Sequence, residues 1–194
     1  MWIGCLSRVL NEPGVALAAG ERELFGGRLE ALVRATVAQA TLREGAPFWK
    51  YVAVPNVLKS DRANDLIHQV YILWGLEIYR DTGGRLPWSR AAALESLARF
   101  WKADRLCFYP MDEAIVAPRN REEPANLWGA GMLLGFLGRW GTPEEAQRVE
   151  RVILKEYGTF PRLRVLPVAS GEDGEFYPRD AAHALFGLSH LLFR

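Results

Sequence analysis

The sequence predicts a mainly α-helical domain over residues 1–194, built from three helical hairpins in outer/inner order with short β pieces in the loops. Two observations carry this. Along the whole chain, segments with apolar residues at helical spacing alternate with irregular, proline-bearing stretches. The predicted helices also fall into two kinds. LIHQVYILWGL, LWGAGMLLGFLG and HALFGLSHLLF are apolar nearly all round, as helices surrounded by others are, while each is preceded by a helix with a charged face.

The first helix runs from about Glu21 to Arg43, with Leu24, Phe25, Leu29, Leu32, Val33 and Val37 at helical spacings. The strand-like FWKYVAV follows between two prolines. A second helix spans about Asp61 to Tyr79 and stops before Asp81-Thr82-Gly83-Gly84. A third begins after Pro87 and carries Ala92, Leu94, Leu97, Ala98 and Trp101. LCFYPMDEAIVAPRNREEP breaks the pattern with short extended pieces. Pro124 suits the first turn of a fourth helix that ends at Gly141. Thr142-Pro143-Glu144-Glu145 opens a fifth with a hydroxyl cap, a first-position proline and acids in the first turn. That helix ends near Tyr157-Gly158. FPRLRVLPVAS is again strand-like, and Pro178 opens a last helix to the C-terminus.

Composition bounds the function. At 194 residues, 49% apolar and 24% charged, the chain is ordinary for a globular domain. Its 24 basic and 23 acidic residues leave a net charge of +1, which argues against an electrostatic grip on nucleic acid or anionic membrane. Cys5 and Cys107 lack the short spacing of a disulfide framework or zinc site. MWIGCLSRVL has neither the basic n-region nor the apolar length of a signal peptide, and Leu127 to Leu137 is too short to span a bilayer. The chain reads as soluble and cytoplasmic. No phosphate loop, dinucleotide fingerprint, zincin motif or nucleophile elbow is present, and no cofactor is called for.

Chemistry concentrates at the starts of the apolar helices. Asp65 with His68, and Asp180 with His183, each stand three residues apart, on one helical face. A carboxylate there fixes the imidazole tautomer and raises its basicity, which suits acid/base work. The structural alternative is equally plain: a first-turn Asp offsets the helix dipole, and a histidine on an apolar helix is often a hydrogen-bonded core residue. Near-equal steps lead from Asp65/His68 to Glu123/Asn126 and on to Asp180/His183. Matching Pro124 to Pro178 instead pairs Asn126 with Asp180 and Gly129 with His183, so the repeat has two registers. Two such pairs also have the ligand types of a two-histidine, two-carboxylate metal site, although the longer Glu suits that spacing better. His190 reads as core, as do Trp74, Trp101 and Trp140. Gly131 and Gly135 form a GxxxG that signals close helix packing.

The repeat is longer than tetratricopeptide, ankyrin or HEAT units, which run to about 33–47 residues and lack strand-bearing loops. Outer and inner helices alternating, with elaborated loops at one end, resemble the α/α toroid enzymes, which include many glycosidases, uronate lyases and sugar epimerases. A complete toroid has about twice as many hairpins. The resemblance therefore implies a partial toroid: half of one, a fragment, or a protomer that closes with a partner. It further implies an enzyme of hydrolase, lyase or epimerase type on a sugar or uronate, with Asp65, His68, Asp180 and His183 as acid/base groups near one mouth. Asn126 and Trp128 would hold substrate there, Trp128 by stacking on a sugar ring. Tyr109, Tyr177 and Trp49 lie on loops leading to that end, and Arg62 and Arg179 could bind a substrate carboxylate or phosphate. Each of these also has a purely structural reading. The expected partner is a saccharide or other small molecule, with a second copy or a partner domain completing the assembly. The competing reading is a non-catalytic helical scaffold or accessory domain.

Overall fold

Two of the apolar helices start where a short polar side chain, Asp65 or Asn126, ends an extended segment and caps a backbone amide. The computed structural model describes residues 2–50, 62–113, 115, 120–158 and 178–192, without the side chains of 178–181 and 190–192. FPRLRVLPVAS and FWKYVAV from Tyr51 onward lie outside the described residues, as does the side chain of His190.

The first helix, absent from the sequence expectation, is α1 (Trp2–Asn11), which buries Ile3, Gly4 and Ser7. Then come α2 (Ala19–Ala38), strands β1 (Thr41–Arg43) and β2 (Ala46–Phe48), α3 (Leu66–Asp81), α4 (Arg90–Ala98), β3 (Trp101–Lys102) and β4 (Arg105–Leu106), α5 (Leu127–Trp140), α6 (Pro143–Glu156) and α7 (Pro178–Leu192). The fold is mainly helical, as expected. Among the described residues, no helix is long and apolar enough to cross a membrane.

Several boundaries move for local reasons. The first expected helix stops at Ala38, because residues 41–43 turn back as a hairpin over Glu44-Gly45. Both turn residues have positive φ, 51° and 85°, which two-residue hairpins of this kind require. The helix expected to reach Trp101 stops at Ala98, since Trp101 pairs with Leu106 in a second hairpin. Trp101 is half-buried rather than core and carries the Arg148 guanidinium 3.9 Å above its ring. Pro124 does not open α5. Its segment is held extended, with Phe108 donating to the Glu123 carbonyl at 2.7 Å and Ala125 to the Leu106 carbonyl at 3.0 Å. Asn126 then caps the helix. Thr142 and Glu145 make the reciprocal capping box of α6 that the sequence announced.

The packing order is simple. α1 packs on α3, α3 on α5 and α5 on α7, while α2, α4 and α6 lie against α1, α3 and α5. The inner row therefore holds α1 as well as the three expected helices. α5 and α7 cross very closely. A Cβ on Gly187 would lie 2.3 Å from the Gly131 carbonyl oxygen, and one on Gly131 would lie 2.7 Å from the Ala184 amide nitrogen. This bears out the reading of the GxxxG. One expectation for α7 changes: it is not apolar and buried all round, since Leu185 and Phe186 are exposed.

The far end of α3 holds a charge network the sequence reading missed. Glu77 is fully buried and is met by Arg90 at 2.8 Å and Arg80 at 3.1 Å. One turn on, Asp81 accepts from Arg90 at 2.5 Å, from Trp140 Nε1 at 2.9 Å and from Arg139 at 3.2 Å. Helices α3, α4 and α5 are thereby tied together at that end.

Candidate functional site

The opposite end of α3 carries the Asp65–His68 pair. Asn64 donates its amide to the Trp49 carbonyl at 3.0 Å and Leu66 to the Phe108 carbonyl at 2.9 Å, so the backbone on both sides of Asp65 is fixed. Asp65 is buried, and its Oδ1 caps α3 by accepting the His68 amide at 2.9 Å. The same oxygen lies 2.7 Å from His68 Nδ1. A carboxylate only accepts, so Nδ1 carries the proton and Nε2 of the neutral ring is left as the basic nitrogen. The hydrogen bond that His68 donates to Asp65 holds the ring above its ordinary value of 6.5, against a smaller opposing effect of burial, with the carboxylate charge adding to the rise. The His68 side chain is nonetheless 47% exposed, so this is a buried carboxylate orienting an accessible imidazole.

His68 faces a cavity of about 430 Å³ between α2 and the start of α3. Tyr71, Lys50, Asn64, Gln39 and Thr36 share its wall with apolar atoms of Leu32, Trp49 and Ile72. Tyr71 follows His68 by three residues and so lies on the same face of α3.

Tyr71 also lines a second cavity, of about 390 Å³, and there the structure places His183. The Tyr71 hydroxyl is 2.7 Å from His183 Nε2 and accepts from Trp128 Nε1 at 2.7 Å. Indole nitrogen can only donate, so the hydroxyl proton remains available for the imidazole. The two histidines thus line different cavities that share Tyr71.

The remaining candidates scatter. Asn126 caps α5, its Oδ1 accepting the Gly129 amide at 2.8 Å. Asp65 and Asn126 are thus equivalent as caps, whereas Asp180 stands two residues inside α7, and the acid/imidazole recurrence is not a recurrence of helix positions. Trp128 is half-buried, with its ring 5.1 Å from the His183 ring and its nitrogen on Tyr71. Tyr109 is buried edge-on against Phe108, and Trp49 is buried against Trp88. Arg62 is half-buried beside the bridge between Lys50 and Ala63. Tyr177 lies outside the described residues, and so do the side chains of Arg179 and Asp180. Among the described residues, no group of three or more His, Cys, Asp or Glu is placed to hold a metal ion.

Tyr71, Lys50, Asn64 and Gln39 were missed. Only Tyr71 had a usable signal, its three-residue spacing from His68 on an otherwise apolar helix. Lys50 and Gln39 reach the cavity from other elements, through contacts no local pattern encodes.

The chain was compared with known proteins. No family model matches it. No curated protein and no solved structure matches it either.

Proposed function

We propose that the cavity at the start of α3 is an acid/base site for a sugar or uronate, with His68 as the proton-transferring group. The observation that carries this is the 2.7 Å contact from buried Asp65 to the half-exposed His68 imidazole. Such a pairing fixes the tautomer and makes Nε2 the nitrogen that exchanges a proton. Lys50 on the same wall can meet a uronate carboxylate and so favour loss of the neighbouring carbon-bound proton to His68. Tyr71, backed by Trp128 and His183, is the second group able to give or take a proton. Elimination and epimerisation both need two such groups, and hydrolysis needs an acid and a base; this reading covers all three. The alternation of inner helices α1, α3, α5 and α7 with outer α2, α4 and α6 supports a partial α/α toroid carrying the site.

His68→Ala is expected to lower turnover of a responsive saccharide or uronate about 10²- to 10⁴-fold. Tyr71→Phe should lower it while leaving binding nearly unchanged. Assays of both variants against a panel of uronates and glycosides decide this. If His68→Ala and His183→Ala both left ligand binding and turnover intact, the reading would be wrong.

A second reading, a non-catalytic scaffold, is favoured by the exposed Leu185 and Phe186 at the end of the inner row. It predicts association through α7, which sedimentation of the wild type and Phe186→Ser would detect.

A further inference from the structure

The second cavity shares Tyr71 with the His68 cavity, but the rest of its wall has a different chemistry. α3 contributes Tyr71, Trp74, Gly75 and Ile78, a single stripe at helical spacing. α1 contributes Gly4, Cys5 and Arg8, α5 contributes Met132, and α7 adds Ala182, His183 and Phe186. Gly4 and Gly75 line the hollow where α1 crosses α3, and a Cβ on Gly4 would lie 3.0 Å from Ile78 Cδ1. Its floor is aromatic and tightly braced: the Trp74 ring lies 5.1 Å from both the Trp140 and Phe186 rings.

Arg8 brings a positive charge to this wall. Arg8, in the last turn of α1, is exposed and lines the cavity, and no Asp or Glu is among its described lining residues. The polar groups beside that guanidinium wall are the hydroxyl of Tyr71 and the ring of His183, already joined to each other at 2.7 Å. An apolar, aromatic hollow of small-molecule size with a guanidinium on its wall suits an amphipathic anion.

We infer that this cavity binds a small carboxylic acid with an aliphatic or aromatic body. The body lies on Trp74, Ile78, Met132 and Phe186, and the carboxylate pairs with Arg8. This inference does not rest on the reading of the His68 cavity: Tyr71 lines both, but the contacts it needs are Arg8, Trp74, Ile78, Met132 and Phe186, and its preference is apolar rather than polyhydroxylated.

The test is a titration of the full chain with decanoate and, separately, with decan-1-ol, followed by NMR shifts of the Trp74 indole and the Ala182 and Phe186 amides. Decanoate should saturate and move these signals. Arg8→Gln should weaken decanoate about tenfold, the scale of one charge-assisted hydrogen bond, and leave decan-1-ol unchanged. Ala182→Trp, which fills the cavity from its exposed rim, should abolish both. The inference is overturned if decanoate does not saturate, if the shifts map elsewhere, or if Arg8→Gln binds decanoate as the wild type does.

Discussion

Alanine at Gly187 is expected to force α7 away from α5 and to destabilise the protein by about 1–3 kcal/mol, the cost of overpacking a close-packed contact. Two effects oppose each other. Alanine favours a helix over glycine by about 1 kcal/mol. Against that, the new Cβ would sit 2.3 Å from the Gly131 carbonyl oxygen and 3.1 Å from Leu134 Cβ. A backbone oxygen cannot rotate aside, so the clash wins. At Gly135 the nearest atoms, the Gly187 Cα and the Phe186 ring, are 3.3 Å away, and the same change there should cost less. Gly26 in α2 has nothing within 4 Å, so alanine there should stabilise by up to about 1 kcal/mol. Thermal unfolding of the three variants reads the order directly. Displacing α7 should also break the Tyr71–His183 contact, which carbon-detected NMR of the imidazole would report. A Gly187→Ala protein as stable as the wild type would mean that α5 and α7 are not so close.

The Glu77 network should give the other large effect. Its carboxylate is fully buried and depends on Arg80 and Arg90 for compensation. The Arg80→Ala/Arg90→Ala double variant should lose about 3–5 kcal/mol in urea unfolding, because a charge is left buried without a partner. Adding Glu77→Leu to that double variant should restore much of the loss. If the triple variant were no more stable than the double, the arginine stems rather than the charge would be responsible. Acid should weaken the same region. Burial pushes the Asp81 carboxyl up, but the hydrogen bonds from Trp140, Arg139 and Arg90 together hold it below its ordinary value of 3.8. Its contribution is therefore present above that value and is lost as pH falls through the lower folded one.

What was legible in the sequence follows from range. Capping and periodicity are local, so α6 with Thr142-Pro143-Glu144-Glu145, and the apolar cores of α3 and α5, were readable nearly as they stand. α1 was passed over although Ile3, Leu6 and Leu10 stand at helical spacing, and the crossing with α3 that seats it is a long-range contact. Pro124 misled because a proline suits a first turn and an extended pairing equally well; the partner strand at Leu106–Phe108 decides. The Asp65–His68 pairing was legible because it is an i, i+3 contact. Tyr71 with His183, 112 residues apart, was not, and neither was the separation of the two histidines into different cavities. The Asp/His recurrence looked stronger than it is because sequence distance ignores where each helix begins.

The central claim is that Asp65 holds His68 as an oriented, basic and accessible imidazole. It has a sign as well as a geometry. A histidine raised in the folded state contributes stability below its unfolded value near 6.5 and loses it as pH rises through the folded value. The direct measurement is an NMR titration of the His68 ring in the wild type and in Asp65→Asn, a change that keeps a competent helix cap. The account predicts a wild-type value above 6.5, a proton on Nδ1 in the neutral form, and a fall towards or below the ordinary value in Asp65→Asn. A wild-type value at or below 6.5, unmoved by Asp65→Asn, would contradict it.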